Sequence, residues 1–160
     1  MKSKVLLILF LSLLGKVVSA QLEIQSNLPD EVHQDFSRRF PVAYNINWDI
    51  RQQNNRIEAI FNYNGRKYYT RYDSLGKVIQ TQKEIRFTEL PTLIVKSLHK
   101  DYLDFTIDEL YCIKLRDKII YEVVVKGADK AYILNYYPYG VIYKKQELSI
   151  THLMTENSAI

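Results

Sequence analysis

The dipeptide Leu28-Pro29 recurs as Leu90-Pro91, at an offset of 62, and the residues after it recur in the same register. Val32, Phe36 and Phe40 fall at four-residue spacing on one helical stripe, and Ile94, Leu98 and Tyr102 occupy the matching positions of the second copy. Farther on, Tyr72 and Gly76 match Tyr136 and Gly140 at an offset of 64. Self-similarity on this scale limits the fold to a unit used twice. A unit of about 60 residues buries only about 60% of its unfolded surface and is marginal alone. The two copies are therefore expected to share a sheet or a core.

The unit reads as one helix followed by four strands. In the first copy the helix starts at Leu28-Pro29-Asp30-Glu31, with proline and acidic residues in its first turn. It carries Arg38 and Arg39 in its last turn and stops at Pro41. Tyr44, Ile46, Trp48 and Ile50 alternate with polar residues, the pattern of a half-buried strand, and Tyr44 and Tyr63 are assigned to the core face with Trp48, Ile57 and Phe61. Ile57, Ala59, Phe61 and Tyr63 form the next strand. Asn64-Gly65 is the sequence of a type I′ hairpin turn. Lys67–Tyr72 returns, Asp73-Ser74-Leu75-Gly76 turns again, and Lys77–Ile85 is the fourth strand.

The second copy supplies strands over Phe105–Leu115, Lys118–Lys126, Lys130–Tyr137 and Val141–Leu148. The expected organisation is residues 1–20 as a signal peptide, 21–89 as the first unit, 90–148 as the second and 149–160 as a tail. Thr88-Glu89 is read as the short junction between the units. The fold class predicted is α+β, tandem helix-plus-four-strand repeats forming antiparallel sheet, with both helices on one face and the other face open.

The first twenty residues stand apart. Lys2 and Lys4 precede an apolar run from Val5 to Leu14, and Val18-Ser19-Ala20 offers small residues before Gln21. The run falls short of the roughly 20 residues that span a bilayer. Export without a membrane anchor after cleavage is the expectation, to the periplasm or beyond. Charge agrees with a non-nucleic-acid partner. The chain has 22 basic and 18 acidic residues, but Lys2, Lys4 and Lys16 belong to the leader, leaving 19 against 18. Cys112 is the only cysteine, so no intrachain disulfide can form.

These residues together resemble a known family. The Leu-Pro helix with its aromatic stripe, the Trp-bearing strand and the Tyr-Asp-Ser-Leu-Gly-Lys turn are similar to the PepSY-like, β-lactamase-inhibitor-like exported proteins of Bacteroidetes-type bacteria. The resemblance covers essentially all of the chain beyond the leader. It implies tandem helix-plus-four-strand units, a periplasmic or secreted setting and a role in binding or inhibiting other proteins, since related PepSY domains occur in peptidase propeptides. The second copy departs at the turn, where Tyr137 and Pro138 replace Asp73 and Ser74.

Chemistry-bearing motifs are scarce. His33, His99 and His152 lack a second ligand at metal-binding spacing, and His33 and His99 sit beside core positions of helices. Cys112 lies within a strand, with no Gly-rich turn or helix N-terminus to acidify it. No nucleophile elbow, phosphate loop or dinucleotide fingerprint is present. Asp73 is expected to bond its own turn rather than a calcium ion. No catalytic residue, cofactor or metal is therefore assigned, and the chain is read as a non-enzyme.

Tyrosine is the remaining signal, at thirteen residues against six Phe and one Trp. Strand propensity explains part of this excess. Tyrosines beside Lys or Arg on an open sheet face have the composition of a recognition surface. Tyr69, Arg71, Tyr137, Tyr139 and Tyr143 are the candidate binding residues. The expected function is a noncatalytic exported binding module, with inhibition of a hydrolase or protease as one form of it, whose partner is an exported or periplasmic protein. The alternative is a periplasmic small-ligand or ion sensor with a pocket between the repeats.

Overall fold

The computed structural model describes residues 28–51 and 56–148. Helix α1 (Asp30–Arg39) precedes strands β1 (Tyr44–Arg51), β2 (Arg56–Tyr63), β3 (Arg66–Tyr72) and β4 (Val78–Glu84). Helix α2 (Thr92–Asp101) precedes β5 (Thr106–Leu115), β6 (Lys118–Lys126), β7 (Ala131–Tyr136) and β8 (Ile142–Leu148). The signal-peptide and C-terminal-tail expectations lie outside the described residues. All eight strands form one antiparallel sheet in sequence order, β1 at one edge and β8 at the other.

Side-chain alternation divides the sheet into two faces. Starting from Ala59, the paired residues Thr70, Thr81, Lys114 and Ile119 succeed one another across β2 to β6 on one face. Both helices cover that face. Val32 and Phe36 of α1 pack with Ile57, Ala59, Phe61 and Tyr72, while Ile94 and Leu98 of α2 pack with Leu110, Val123, Val125, Leu134 and Tyr136. The stripes read from the sequence are therefore the buried faces of the helices. Between the two clusters the helix-side face is more polar, with Thr70 and Thr81 opposite each other and Lys83 opposite Cys112. The two layers share a sheet, and each has its own core.

Equivalent turns tie each layer together. Asp73 N–H donates to Lys77 O and Gly76 N–H to Asp73 O, while Tyr137 N–H donates to Val141 O and Gly140 N–H to Tyr137 O. Gly76 and Gly140 have φ of 74° and 85°, the left-handed region that glycine enters without a Cβ penalty. A Cβ at Gly76 would lie 2.9 Å from Glu31 Cβ, and one at Gly140 would lie 2.7 Å from Leu93 O. Each turn thus packs against the first turn of its own helix. The Asp73 carboxylate accepts from the N–H groups of Leu75 and Lys77, the local bonding expected of a turn aspartate. The hairpin at Asn64-Gly65 has φ of 51° and 69°, as a type I′ turn requires.

One expectation needs correction. Tyr44 and Ile46 are exposed rather than core, because β1 is an edge strand with a register shift between Tyr44 and Asn47 and a positive φ at Asn45. That irregularity interrupts the alternation. Trp48 and Ile50, beyond it, do pack on the α1 cluster. The short Thr88-Glu89 junction is structured. Phe87–Glu89 forms a 3₁₀ turn whose Glu89 carboxylate accepts from Arg86 N–H at 2.9 Å and Arg66 Nη1 at 2.7 Å. Lys83 Nζ lies 3.3 Å from its other oxygen. These contacts hold the Glu89 carboxyl down at about 2, the Arg86 backbone bond first among them.

Candidate binding face

The face opposite the helices carries the candidate site. Tyr69 pairs with Gln82, Gln82 with Ile113, and Ile113 with Ile120. Tyr121 pairs with Tyr136, so the next residues outward, Ile120 and Tyr137, continue the row. Tyr69 and Tyr137 thus stand at two ends of one line across the sheet, about 19 Å apart at the usual strand spacing.

Each end is built differently. Tyr69 is half-buried, edge-on to Tyr111 with ring centres 5.9 Å apart, and Lys67 Nζ lies 5.3 Å from its ring centre. Arg71 is tied down: its guanidinium reaches Glu58 Oε1 and Gln80 Oε1, both at 3.3 Å, and Glu58 also holds Arg56. At the far end Tyr137 stacks on Tyr139 with ring centres 5.2 Å apart and lies 4.9 Å from Tyr143. Tyr139 is 60% exposed and Tyr143 43%. The register shift between Asn135 and Tyr136 in the β7–β8 ladder falls beside Tyr143, next to this aromatic group. The five candidates form two groups on this side of the sheet, Tyr69 with Arg71 and Tyr137 with Tyr139 and Tyr143.

Between the groups lie residues that sequence reasoning does not single out. Tyr111, Ile113 and Ile120 form a small buried cluster, with Tyr69 and Leu115 packed against it. Glu122 is paired with Tyr111, and Glu109 lies two residues from Tyr111 on β5. Burial, aided by Glu109 and opposed by Lys144, pushes the Glu122 carboxyl up. Burial likewise pushes the Tyr111 hydroxyl up, with Tyr69 and Glu109 adding to the shift. The sequence does hold a signal for this cluster. Leu110-Tyr111-Cys112-Ile113 and Ile119-Ile120-Tyr121 are continuous apolar runs, which place apolar side chains on both faces of the sheet.

The remaining reactive groups offer little chemistry. Cys112 is half-buried on the helix side, and burial pushes its thiol up, away from nucleophilic use. His33 and His99 are exposed on their helices, and His152 lies outside the described residues. Among the described residues there is no cluster of three or more His, Cys, Asp or Glu positioned to hold a metal ion. No described helix is long and apolar enough to cross a membrane. At the join between the layers lies an open groove of about 790 Å³, beside β4 and the start of β5.

The described residues therefore have an α+β fold: two helices on one side of an eight-stranded antiparallel meander. Solved structures share this arrangement. The chain is similar to a DUF2874 family protein from Bacteroides uniformis ATCC 8492, at 18% identity and a TM-score of 0.68, over 75% of this chain and 89% of that one. It is similar to one of the "putative periplasmic proteins" of Bacteroides eggerthii DSM 20697, at 16% identity and a TM-score of 0.70, over 76% and 90%. It is also similar to a BLIP-like protein from Bacteroides fragilis NCTC 9343, at 17% identity and a TM-score of 0.64, over 78% and 91%. No family model matches the chain, and no curated protein matches it. These likenesses support the β-lactamase-inhibitor-like side of the resemblance at the level of fold. They do not bear on its PepSY side.

Proposed function

We propose that this chain is a noncatalytic exported binding module, built from two copies of a helix-plus-four-strand unit over residues 21–89 and 90–148, that takes a partner protein on its open sheet face. The observation that carries this reading is the row from Tyr69 to Tyr137 on a face that no described helix covers: tyrosines stand at both ends, exposed Tyr139 and Tyr143 join the far one, and Gln82 and the buried Ile113 and Ile120 lie between. Rigid tyrosines give large contact area at small entropic cost, and neighbouring cations add hydrogen bonds and cation–π contacts. The leader-like start and the periplasmic description of one structural neighbour support export. The BLIP-like neighbour supports an inhibitor of an exported hydrolase or protease as the form this binding takes.

The test is capture of exported proteins on the immobilised chain, then affinity measurement with whatever partner is retained. Tyr69→Ala, Tyr137→Ala, Tyr139→Ala and Tyr143→Ala should fold normally. At least one should weaken binding by about 2 kcal/mol or more, the scale of an interface hot spot. Leu93→Ala, on the exposed side of α2, is the control. Equal binding by all four tyrosine variants overturns the reading.

A further inference from the structure

The two layers of the sheet are not the same length at their join. β5 runs from Thr106, yet β4 pairs only with Tyr111–Leu115, and the chain turns away after Ile85 N–H donates to Leu110 O. Thr106, Ile107 and Glu109 pair with β6 on one side and with no described strand on the other. About 13 Å of strand edge is thus left open inside the sheet. The groove of about 790 Å³ lies along this edge, a volume within the range of ligand clefts.

The groove has two chemically distinct walls. Ile107 pairs with Val125, so it belongs to the helix side, where Phe87 and Phe105 also line the space. Phe87 and Ile107 keep 43% and 37% of their surface exposed. Glu109 pairs with Val124 and belongs to the open side, with Glu84 and Lys67 across the groove. Asp108 is bound to Lys126 at 2.7 Å and is accounted for. Two carboxylates, Glu84 and Glu109, then stand against one ammonium, Lys67, leaving the open wall net negative. An added strand presents alternate residues to opposite faces. A register shift between Ile107 and Glu109 kinks this edge at Asp108 and turns Glu109 to the face opposite Ile107, and open edges recruit added strands.

From this edge and these walls, we propose that the step between β4 and β5 docks an extended segment of a partner polypeptide, with apolar and basic residues alternating. The segment pairs with Thr106–Glu109, placing apolar side chains against Phe87 and Ile107 and basic ones against Glu84 and Glu109. This site uses none of the tyrosines in the preceding proposal, so either can fail alone.

The probe is an acetylated, amidated Val-Lys-Val-Lys-Val peptide, titrated into the full chain and monitored by backbone amide NMR. Saturable shifts should be confined to residues 84–87 and 105–111, with slowed hydrogen exchange over 106–109. Glu109→Lys should weaken binding about tenfold or more, and Glu84→Gln by a smaller factor, while Leu75→Ala, at an exposed turn outside both surfaces, leaves it unchanged. Three results overturn the proposal: no saturable shift, equal binding of a Val-Glu-Val-Glu-Val peptide, or protection of 106–109 that depends on protein concentration without peptide. The last would assign the edge to a second copy of the chain.

Discussion

The layer under α1 and the layer under α2 have the same outline and different fillings. Val32 and Ile94 are fully buried at matching helix positions, as are Tyr72 and Tyr136 at matching strand ends. Around them the first layer is aromatic. Phe36 lies 5.0 Å from Trp48 and 4.8 Å from Phe61, and Phe40 lies 4.6 Å from Phe61, measured between ring centres. The second layer is chiefly aliphatic, with Leu98, Leu110, Val123, Val125 and Leu134 in contact. The difference teaches that volume and placement, rather than residue identity, maintain the shared frame. Where a polar atom is buried the two layers do diverge: Tyr136 Oη lies 3.5 Å from Ser97 Oγ, whereas Tyr72 Oη has no hydrogen-bond partner among the described residues.

The sharpest test of this equivalence is the removal of the helix anchors. Phe36→Ala should destabilise by about 3–5 kcal/mol and Leu98→Ala by about 2–5 kcal/mol, read from urea unfolding. A neutral result for one with a large loss for the other would break the match at the helices. The turn glycines come next. Gly76→Ala and Gly140→Ala each force a Cβ into a left-handed residue packed on a helix, at about 1–3 kcal/mol. Gly140 should be the worse, because it meets the Leu93 carbonyl, whereas Gly76 first meets a side-chain carbon. Thermal midpoints of the two variants would reverse in order if the α2 layer yields more easily.

Glu89 probes the join rather than either layer. Its folded carboxyl titrates at about 2, below the ordinary value of 4.5, so its contribution is present above 4.5 and lost as pH falls towards 2. The side chain is 35% exposed, and solvent screening limits the effect to below about 1 kcal/mol. Glu89→Gln should flatten stability against pH across that window, measured by denaturant midpoints. The smallest effect separates the buried tyrosines. Tyr72→Phe should be neutral or slightly stabilising, since it removes an unpartnered hydroxyl, while Tyr136→Phe should cost about 0.5–1 kcal/mol. A larger cost at Tyr72 would show that its hydroxyl has a partner after all.

Much of this frame is legible in the chain. The stripe of Val32 and Phe36 and its match in Ile94 and Leu98 can be read because helix burial has a short, regular period. The Asn64-Gly65 turn can be read because few residues accept its backbone. Tyr44 and Ile46 defy the same reasoning because alternation does not reveal an edge position or a register shift. The Arg66–Glu89 ion pair escapes it because its partners lie 23 residues apart, a relation with no local signature. On the candidate face, single-residue alternation identifies Tyr69, yet the row linking it to Tyr137 depends on four successive strand registers. Those registers are long-range facts, as is the step beside Thr106.

Strand order carries a consequence for the time course of folding. Each strand pairs with its neighbours in sequence, from β1 to β8, with no crossover. Most loop closures are therefore short, apart from the helix-containing connection between β4 and β5, and low contact order favours rapid folding. The α1 layer has its own buried cluster, so a chain emerging N-terminus first can begin to collapse before β5 is available. The β4–β5 ladder is the seam between the layers, five residue pairs long, from Gln80–Leu115 to Glu84–Tyr111. Until that seam closes, β4 offers a bare edge to any other half-folded chain, and the speed of closure sets how long the nascent protein is open to aggregation.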